Sequence, residues 1–331
     1  MATIQQKQPK IYELFGRILN NKSLKHAYLF EGYAGTGKLE MSRFIAKVKL
    51  CQNITSESQQ PCNHCAQCLR IDNGEHPDVI EVFPEGKSQT IKVDRIRELK
   101  EEFSKSGVEG NTKIIIVDQF DAMTNSATNS ILKFIEEPEK DIHIFLLTAN
   151  KQNVLPTIIS RCQVISFTKQ PLSERVSELK DNGLTDYEAH LIAHLTQDNQ
   201  LGRVMVEEYE IMDKVEKVWR WFNRIMKRDD HAFVFVQTDL LPIIDGTQES
   251  MIILDLTMYL CRDMLKLYYN QDSEDIAFSQ HRPELTYYVE RISIMTIVSF
   301  LTTVLTAKKR LKSNVSIQGV LEHLTLELLD Y

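Results

Sequence analysis

The sequence predicts an α/β fold, a parallel sheet with helices on both faces, followed by a half built of helices alone. Three observations carry this. Short β-branched runs alternate with helical patterns between about residues 27 and 167. A glycine-rich turn, Gly32-Tyr33-Ala34-Gly35-Thr36-Gly37-Lys38-Leu39, stands where the first strand should pass into the first helix. Beyond Pro171-Leu172-Ser173 only helical periodicity remains.

In chain order, residues 27–31 form a short apolar strand. Residues 38–51 form a helix with Met41, Phe44, Ile45 and Val48 at helical spacing. A second strand, 78–83, is bounded by Pro77 and Pro84. An amphipathic helix over 93–103 precedes a buried strand, 113–118, that ends in Asp118. The helix 126–137 is stopped by Pro138, and the strands 142–148 and 162–167 complete the sheet. Ser173 is the expected N-cap of a helix to about Asp181, ended by Gly183. Two more short helices, 186–197 and 201–208, make a three-helix lid. The remainder is helical, best at 212–227, 251–269, 287–307 and 315–329, with turn-rich gaps at 242–246 and 272–283. The expected domains are 1–168, 169–208 and 209–331. No internal repeat or low-complexity segment is visible.

Composition narrows the function classes. A chain of 331 residues, 43% hydrophobic and 26% charged, has the balance of a soluble globular protein. A formal charge of −7 argues against a protein that coats nucleic acid, so any DNA contact is expected to be local or shared with partners. The N-terminus lacks the apolar region of a signal peptide. The stretch 292–307 is charge-free but too short and too rich in Ser and Thr to span a membrane, and reads as a helix buried inside a bundle.

The glycine turn matches G-x-x-x-x-G-K-[ST] except at its last position. Backbone N–H groups of such a loop cradle phosphates, its Lys reaches the terminal phosphates, and its hydroxyl binds Mg²⁺. Gly32, Gly35, Thr36, Gly37 and Lys38 therefore form a candidate nucleotide site, but Leu39 has no oxygen to offer a hard cation. Asp118, at the end of its strand, is placed to serve the metal side of the same site. The next residue is Gln119, whose amide cannot act as a general base.

Cys51, Cys62, Cys65 and Cys68 follow C-x₁₀-C-x₂-C-x₂-C, and four thiolates make a closed tetrahedral zinc site with no position for water. The zinc module spans about 51–68 and is structural, in a reducing compartment. His64 is a weaker candidate ligand beside Cys65.

Five further stretches make the family specific. They are His26-Ala27-Tyr28-Leu29-Phe30, His76-Pro77-Asp78-Val79, Val93-Asp94-Arg95-Ile96-Arg97-Glu98-Leu99, Asn129-Ser130-Ile131-Leu132-Lys133-Phe134-Ile135-Glu136-Glu137-Pro138, and Leu155-Pro156-Thr157-Ile158-Ile159-Ser160-Arg161-Cys162. In this order they resemble the clamp-loader subunits of bacterial DNA polymerase III, densely from about Tyr12 to Phe167 and thinly afterwards. The altered phosphate site points to the delta-prime branch rather than the ATP-hydrolysing gamma/tau branch.

The resemblance implies an AAA+ fold with a helical lid and a C-terminal helical collar. In AAA+ ATPases a Glu stands where this chain has Gln119. It implies that Arg161 acts as an arginine finger on a neighbouring subunit's nucleotide, although an Arg there can equally pair with a local carboxylate. Asn150 falls at the sensor-1 position; Gly202 aligns with the sensor-2 Arg, and Arg203 lies one residue, or 100° of helix, beyond it. Lys92, Arg95, Arg97 and Lys100 either face DNA or form a solvated face with Glu98, Glu101 and Glu102, and Lys308, Lys309, Arg310 and Lys312 carry the same pair of readings. The resemblance also supports zinc, and implies weak ATP or ADP binding.

The implied partners are the gamma/tau and delta subunits in a hetero-pentamer, the sliding clamp, and primed DNA through the complex, with no membrane. The implied location is the cytoplasmic, nucleoid-associated replisome. The leading expectation is a non-hydrolysing clamp-loader subunit. The alternative is an active gamma/tau-type ATPase, opposed by Leu39, Gln119 and Gly202 and kept open by Lys38 and Asp118. A lone P-loop kinase or a zinc metalloenzyme lacks a substrate site or an open metal position.

Overall fold

The apolar runs of the first half pair as one five-stranded parallel sheet. The computed structural model describes residues 3–54, 60–85, 90–104, 112–136, 141–313 and 315–331. The chain divides into two units, Met1–Gln170 and Pro171–Tyr331. The first begins with helices α1 (Ile4–Lys7) and α2 (Pro9–Asn20), then β1 (Ala27–Glu31), α3 (Lys38–Leu50), α4 (Ala66–Asp72) and β2 (Val79–Val82). It continues through α5 (Val93–Ser104), β3 (Lys113–Val117), α6 (Asn125–Glu136), β4 (Ile142–Thr148), α7 (Pro156–Ile159) and β5 (Gln163–Ser166).

The strand order is β2-β3-β4-β1-β5, so β1 pairs with strands from much later in the chain on both sides. Successive strand residues point to opposite faces, and both faces are apolar. Tyr28, Phe30, Ile114, Ile116 and Phe145 pack with α2 and α3 residues such as Phe15, Met41 and Ile45. Leu29, Ile115, Val117, Ile144 and Leu146 pack instead with Ile96 of α5, Ile131 of α6 and Ile158 of α7. The rings of Tyr28 and Phe145 stack across paired strands, centroids 5.5 Å apart. The connection after β1 runs to β2 on one side of the sheet order and that after β4 crosses to β5 on the other, so the C-terminal ends of β1 and β4 form the switch point where such sheets bind ligands.

The second unit is wholly helical: α8 (Leu172–Asp181), α9 (Asp186–Leu195), α10 (Asn199–Glu207), α11 (Ile211–Met226), α12 (His231–Phe235), α13 (Gly246–Tyr269), α14 (Arg282–Val289), α15 (Ile294–Lys312) and α16 (Ile317–Leu329). Trp221 of α11 is fully buried and donates Nε1–H to Thr325 Oγ1 at 3.1 Å. No helix among the described residues is long and apolar enough to cross a membrane.

Several details differ from the sequence expectation. The single helix expected at 287–307 is two, α14 and α15. Ser293 separates them by accepting the Thr296 N–H and capping the second. Nor is α15 enclosed on all sides, since Met295 is 72% exposed and Leu305 is also exposed. Ser173 is inside α8 rather than at its cap, which falls on Pro171, two residues earlier. The gap 242–246 is narrower, because a π turn, Val236–Leu240, and a 3₁₀ turn, Leu241–Ile243, lead almost directly into α13. Helices α1, α2, α4 and α12 are additional. Glu137 and Pro138 lie outside the described residues.

The His194 ring of α9 is buried, and that desolvation, with the nearby Arg262, holds its pKa down at about 4. Asp275, 3.6 Å from Nε2, pulls upward without prevailing. An unfolded His titrates near 6.5, so between these values the unfolded chain binds the proton and the folded one does not. Stability from the neutral ring is thus complete above pH 6.5 and is lost as pH falls toward 4, by up to about 1.4 kcal/mol per pH unit. Urea midpoints of the native chain should fall over this window more steeply than those of His194→Gln. Parallel pH profiles would contradict the assignment.

Candidate functional site

The glycine turn follows β1 directly and ends on Lys38, the first residue of α3. Gly32 lets the chain pass the end of the sheet: a Cβ there would stand 2.6 Å from the Phe167 carbonyl oxygen. Gly37 has φ 96°, a conformation that favours glycine. Lys38 turns back into the loop and donates to the carbonyls of Gly32 at 2.6 Å and Tyr33 at 2.8 Å. It is 7% exposed. Burial pulls its pKa down, and the carboxylates of Asp118 and Asp121 offset part of that. The Thr36 hydroxyl donates to the same Tyr33 carbonyl at 2.8 Å. Leu39 packs against the apolar face formed by β1, β3 and β4.

Asp118 lies just past β3, where one carboxylate oxygen accepts the Gln119 N–H at 2.9 Å. Burial raises its pKa; the Gln119 N–H and Lys38 oppose that. Gln119 itself takes the left-handed conformation, φ 47°, and starts the 3₁₀ turn Phe120–Ala122. Asp121 in that turn accepts the Thr148 hydroxyl at 2.9 Å. Asp121 is a member of this group that sequence reading missed. Its only signal was a carboxylate three residues past Asp118, which is common in turns. The Asn150 side chain accepts the Gln152 N–H at 2.9 Å and caps a short 3₁₀ turn.

Arg161 lies between α7 and β5, and its side chain is 40% exposed. One arm of the guanidinium meets Glu136 Oε1 at 2.9 Å, and another donates to the Thr157 carbonyl at 3.0 Å. The local carboxylate partner is thus present in this chain. Gly202 is buried in α10, where a Cβ would stand 2.8 Å from Ile192 Cγ2, while Arg203 is exposed. An Arg at position 202 would have to displace Ile192.

Three residues of the basic stretches, Arg95, Arg97 and Lys308, are paired. Arg97 meets Asp94 at 3.0 Å and Arg95 meets Glu98 at 3.2 Å, while Lys92 precedes α5. The side chains of Lys100, Glu101, Glu102 and Lys312 lie outside the described residues. Lys308 pairs with Asp255, and Lys309 and Arg310 are exposed.

The four cysteines converge. Cys51 follows the last residue of α3, Cys65 is the N-cap of α4, and Cys68 is buried within α4. The four sulfurs of Cys51, Cys62, Cys65 and Cys68 all lie within 4.8 Å of one another. A zinc–sulfur bond of about 2.3 Å sets tetrahedral sulfurs roughly 3.8 Å apart, so a small inward shift closes the shell. The cluster is built to carry negative charge: the Cys62 N–H donates to the Cys51 sulfur at 3.4 Å, and the Cys65 N–H to the Cys62 sulfur at 3.3 Å. Burial pushes the Cys65 thiol up, but the N–H groups of Cys68 and Gln52 together with hydrogen bonds from the Cys62 and Cys68 side chains outweigh it and bring it to about 6. Burial drives Cys68 upward. Four thiolates so close need a cation between them, and these residues fit a metal held by sulfur alone. His64 turns its Nδ1 to the Cys62 carbonyl at 2.7 Å.

The sheet order, the loop after β1 and the carboxylate after β3 define a P-loop nucleotide-binding fold. A family model described as "DNA polymerase III, delta subunit" matches residues 7–171. DNA polymerase III subunit delta' of Bacillus subtilis is 35% identical over 97% of this chain and 96% of its own length. Subunit tau of the same organism is 34% identical over 53% of this chain and 31% of its own. A solved gamma subunit-related protein from Thermotoga maritima is 20% identical, covering 96% of this chain and 98% of that one, with a TM-score of 0.48. The chain belongs to the DNA polymerase III delta-prime family.

If the cysteine group holds a metal, Cys68→Ser should lower bound metal below one equivalent per chain. It should also lower the melting temperature by about 4–8 °C, as a loss of roughly 2 kcal/mol does in a domain of this size. Elemental analysis that finds no metal in the native protein, or a melting curve unmoved by strong chelation, would refute it.

Proposed function

We propose that this chain is a non-hydrolysing delta-prime subunit of the DNA polymerase III clamp loader, which helps place the sliding clamp on primed DNA and lends Arg161 to a neighbour's ATP site. One observation carries the reading. The phosphate loop keeps its fold and its Lys38, yet the position of the metal-binding hydroxyl holds Leu39, half-buried against the apolar cluster. Gln119 likewise replaces a basic carboxylate after Asp118. A site so altered supports weak ATP or ADP binding through Gly32, Gly35, Thr36, Gly37 and Lys38 and no turnover, with Asp118 and Asn150 as remnants of its metal and sensor positions. The relationship to delta-prime over nearly the whole chain supports the same conclusion. Intact Lys38 and Asp118, with the partial relationship to subunit tau, favour the alternative of an active gamma/tau-type ATPase.

In this reading the partners are gamma/tau and delta subunits in a hetero-pentamer, together with the clamp and, through the complex, primed DNA. The cysteine group holds one structural zinc. Residues 169–208 form a lid and 209–331 a collar, through which the subunit joins the ring. The setting is the bacterial cytoplasm, at the replisome.

Glu136 does not oppose the role of Arg161. An ion pair this exposed contributes at most about 1 kcal/mol, so the planar fork can exchange it for the more highly charged γ-phosphate of a partner's nucleotide. The isolated chain should turn over ATP at less than about once per minute, against roughly 10 per second for ordinary enzymes. In a reconstituted loader, Arg161→Ala should leave assembly intact and lower both clamp loading and DNA-stimulated ATPase in part, since the finger serves one site of several. Arg161→Lys should be impaired too, because a point charge cannot replace the fork. Unchanged loading and ATPase in a fully assembled Arg161→Ala complex would leave only the local ion pair with Glu136.

A further inference from the structure

The segment 3–8 lies across the phosphate loop. Ile4 of α1 packs with Leu39 on one apolar cluster, and its Cδ1 lies 2.5 Å from where a Cβ on Gly37 would stand. Lys7, its side chain 9% exposed, meets Glu40 in the first turn of α3 at 2.8 Å. Gln8 is 3% exposed, and its amide donates to two carbonyls: Thr36 in the loop at 3.1 Å and Thr168, beyond β5, at 2.7 Å. One side chain therefore ties the loop to the chain just beyond the neighbouring edge strand β5.

Beneath this cover Thr36, Gly37 and Lys38 are buried, and the Lys38 ammonium is bonded to the carbonyls of Gly32 and Tyr33. In a loop that holds a polyphosphate, that ammonium reaches out to the terminal phosphates. Here it must first leave two carbonyls, and the contact over Gly37 must loosen.

We propose that residues 3–8 form a latch that holds the phosphate loop closed, so that a nucleoside di- or triphosphate binds only the minor, unlatched form. The latch concerns occupancy of the loop alone. The role of Arg161 stands or falls separately, because it acts on a neighbour's nucleotide. Apparent affinity is the intrinsic affinity scaled by the unlatched fraction, so weakening the latch tightens binding without adding any contact to the ligand.

The experiment titrates magnesium ADP into the full-length chain by calorimetry. Gln8→Ala, which removes both amide bonds, should bind about tenfold more tightly than the native chain. Ile4→Ala combined with Gln8→Ala should bind more tightly still. Adding Lys38→Ala to Gln8→Ala should abolish the gain, which assigns it to this loop. Lys7→Met keeps the apolar stem and removes only the exposed ion pair, so it tests the latch should Gln8→Ala fail to fold; it should tighten binding severalfold. Affinities within twofold of native in variants with native circular dichroism would overturn the proposal. Weaker binding would do so as well, by making the segment part of the nucleotide site. A gain that survives Lys38→Ala would place the nucleotide elsewhere and overturn it too.

Discussion

The pairing of β1 with both β4 and β5 is the constraint on which the rest of the first unit depends. A central strand buried on both faces has no freedom of register, because a slip of one residue would exchange Tyr28 and Phe30 for Leu29 against α2 and α3. The exit of β1 is therefore a fixed point. Gly32 passes the Phe167 carbonyl at a distance that no side chain tolerates. The carboxylates beyond β3 and Asn150 beyond β4 take their positions from neighbouring strands of the same sheet.

A frame this firm explains how the loop survives without its chemistry. What holds Gly32 to Lys38 in shape is the sheet, the packing of Leu39 and hydrogen bonds to the loop's own carbonyls. None of these needs a nucleotide or a metal. Leu39 in fact joins the apolar cluster, a contact that a hydroxyl residue would give up. Loss of catalysis and retention of the fold are thus compatible at one position.

Most of the sheet and the cysteine group was legible in the sequence because each depends on a local pattern. The strands show β-branched runs such as Ile114-Ile115-Ile116-Val117, and the thiols show short fixed spacings. What was not legible depends on distant partners. Helix α4 is short and starts at a cysteine, so its periodicity is masked by ligand spacing. The break between α14 and α15 is set by one serine in an apolar run, where Ser is equally common on helix surfaces. Glu136 as the partner of Arg161, and Gln8 as a support of the loop, join residues far apart in sequence that no motif connects.

Helix α3 begins at the phosphate loop and hands over to a cysteine of the sulfur cluster at its other end. Its length is therefore counted in whole residues. One inserted residue would swing Cys51 by about 100° around the helix axis and carry its sulfur away from the other three. Descendants of this chain can vary the number of residues between Cys51 and Cys62, since the cost of closing a chain segment grows slowly with its length. They cannot add to or trim α3. Insertions and deletions in related chains should accordingly gather on one side of Cys51 and be missing from the other, a record of the helix acting as a ruler.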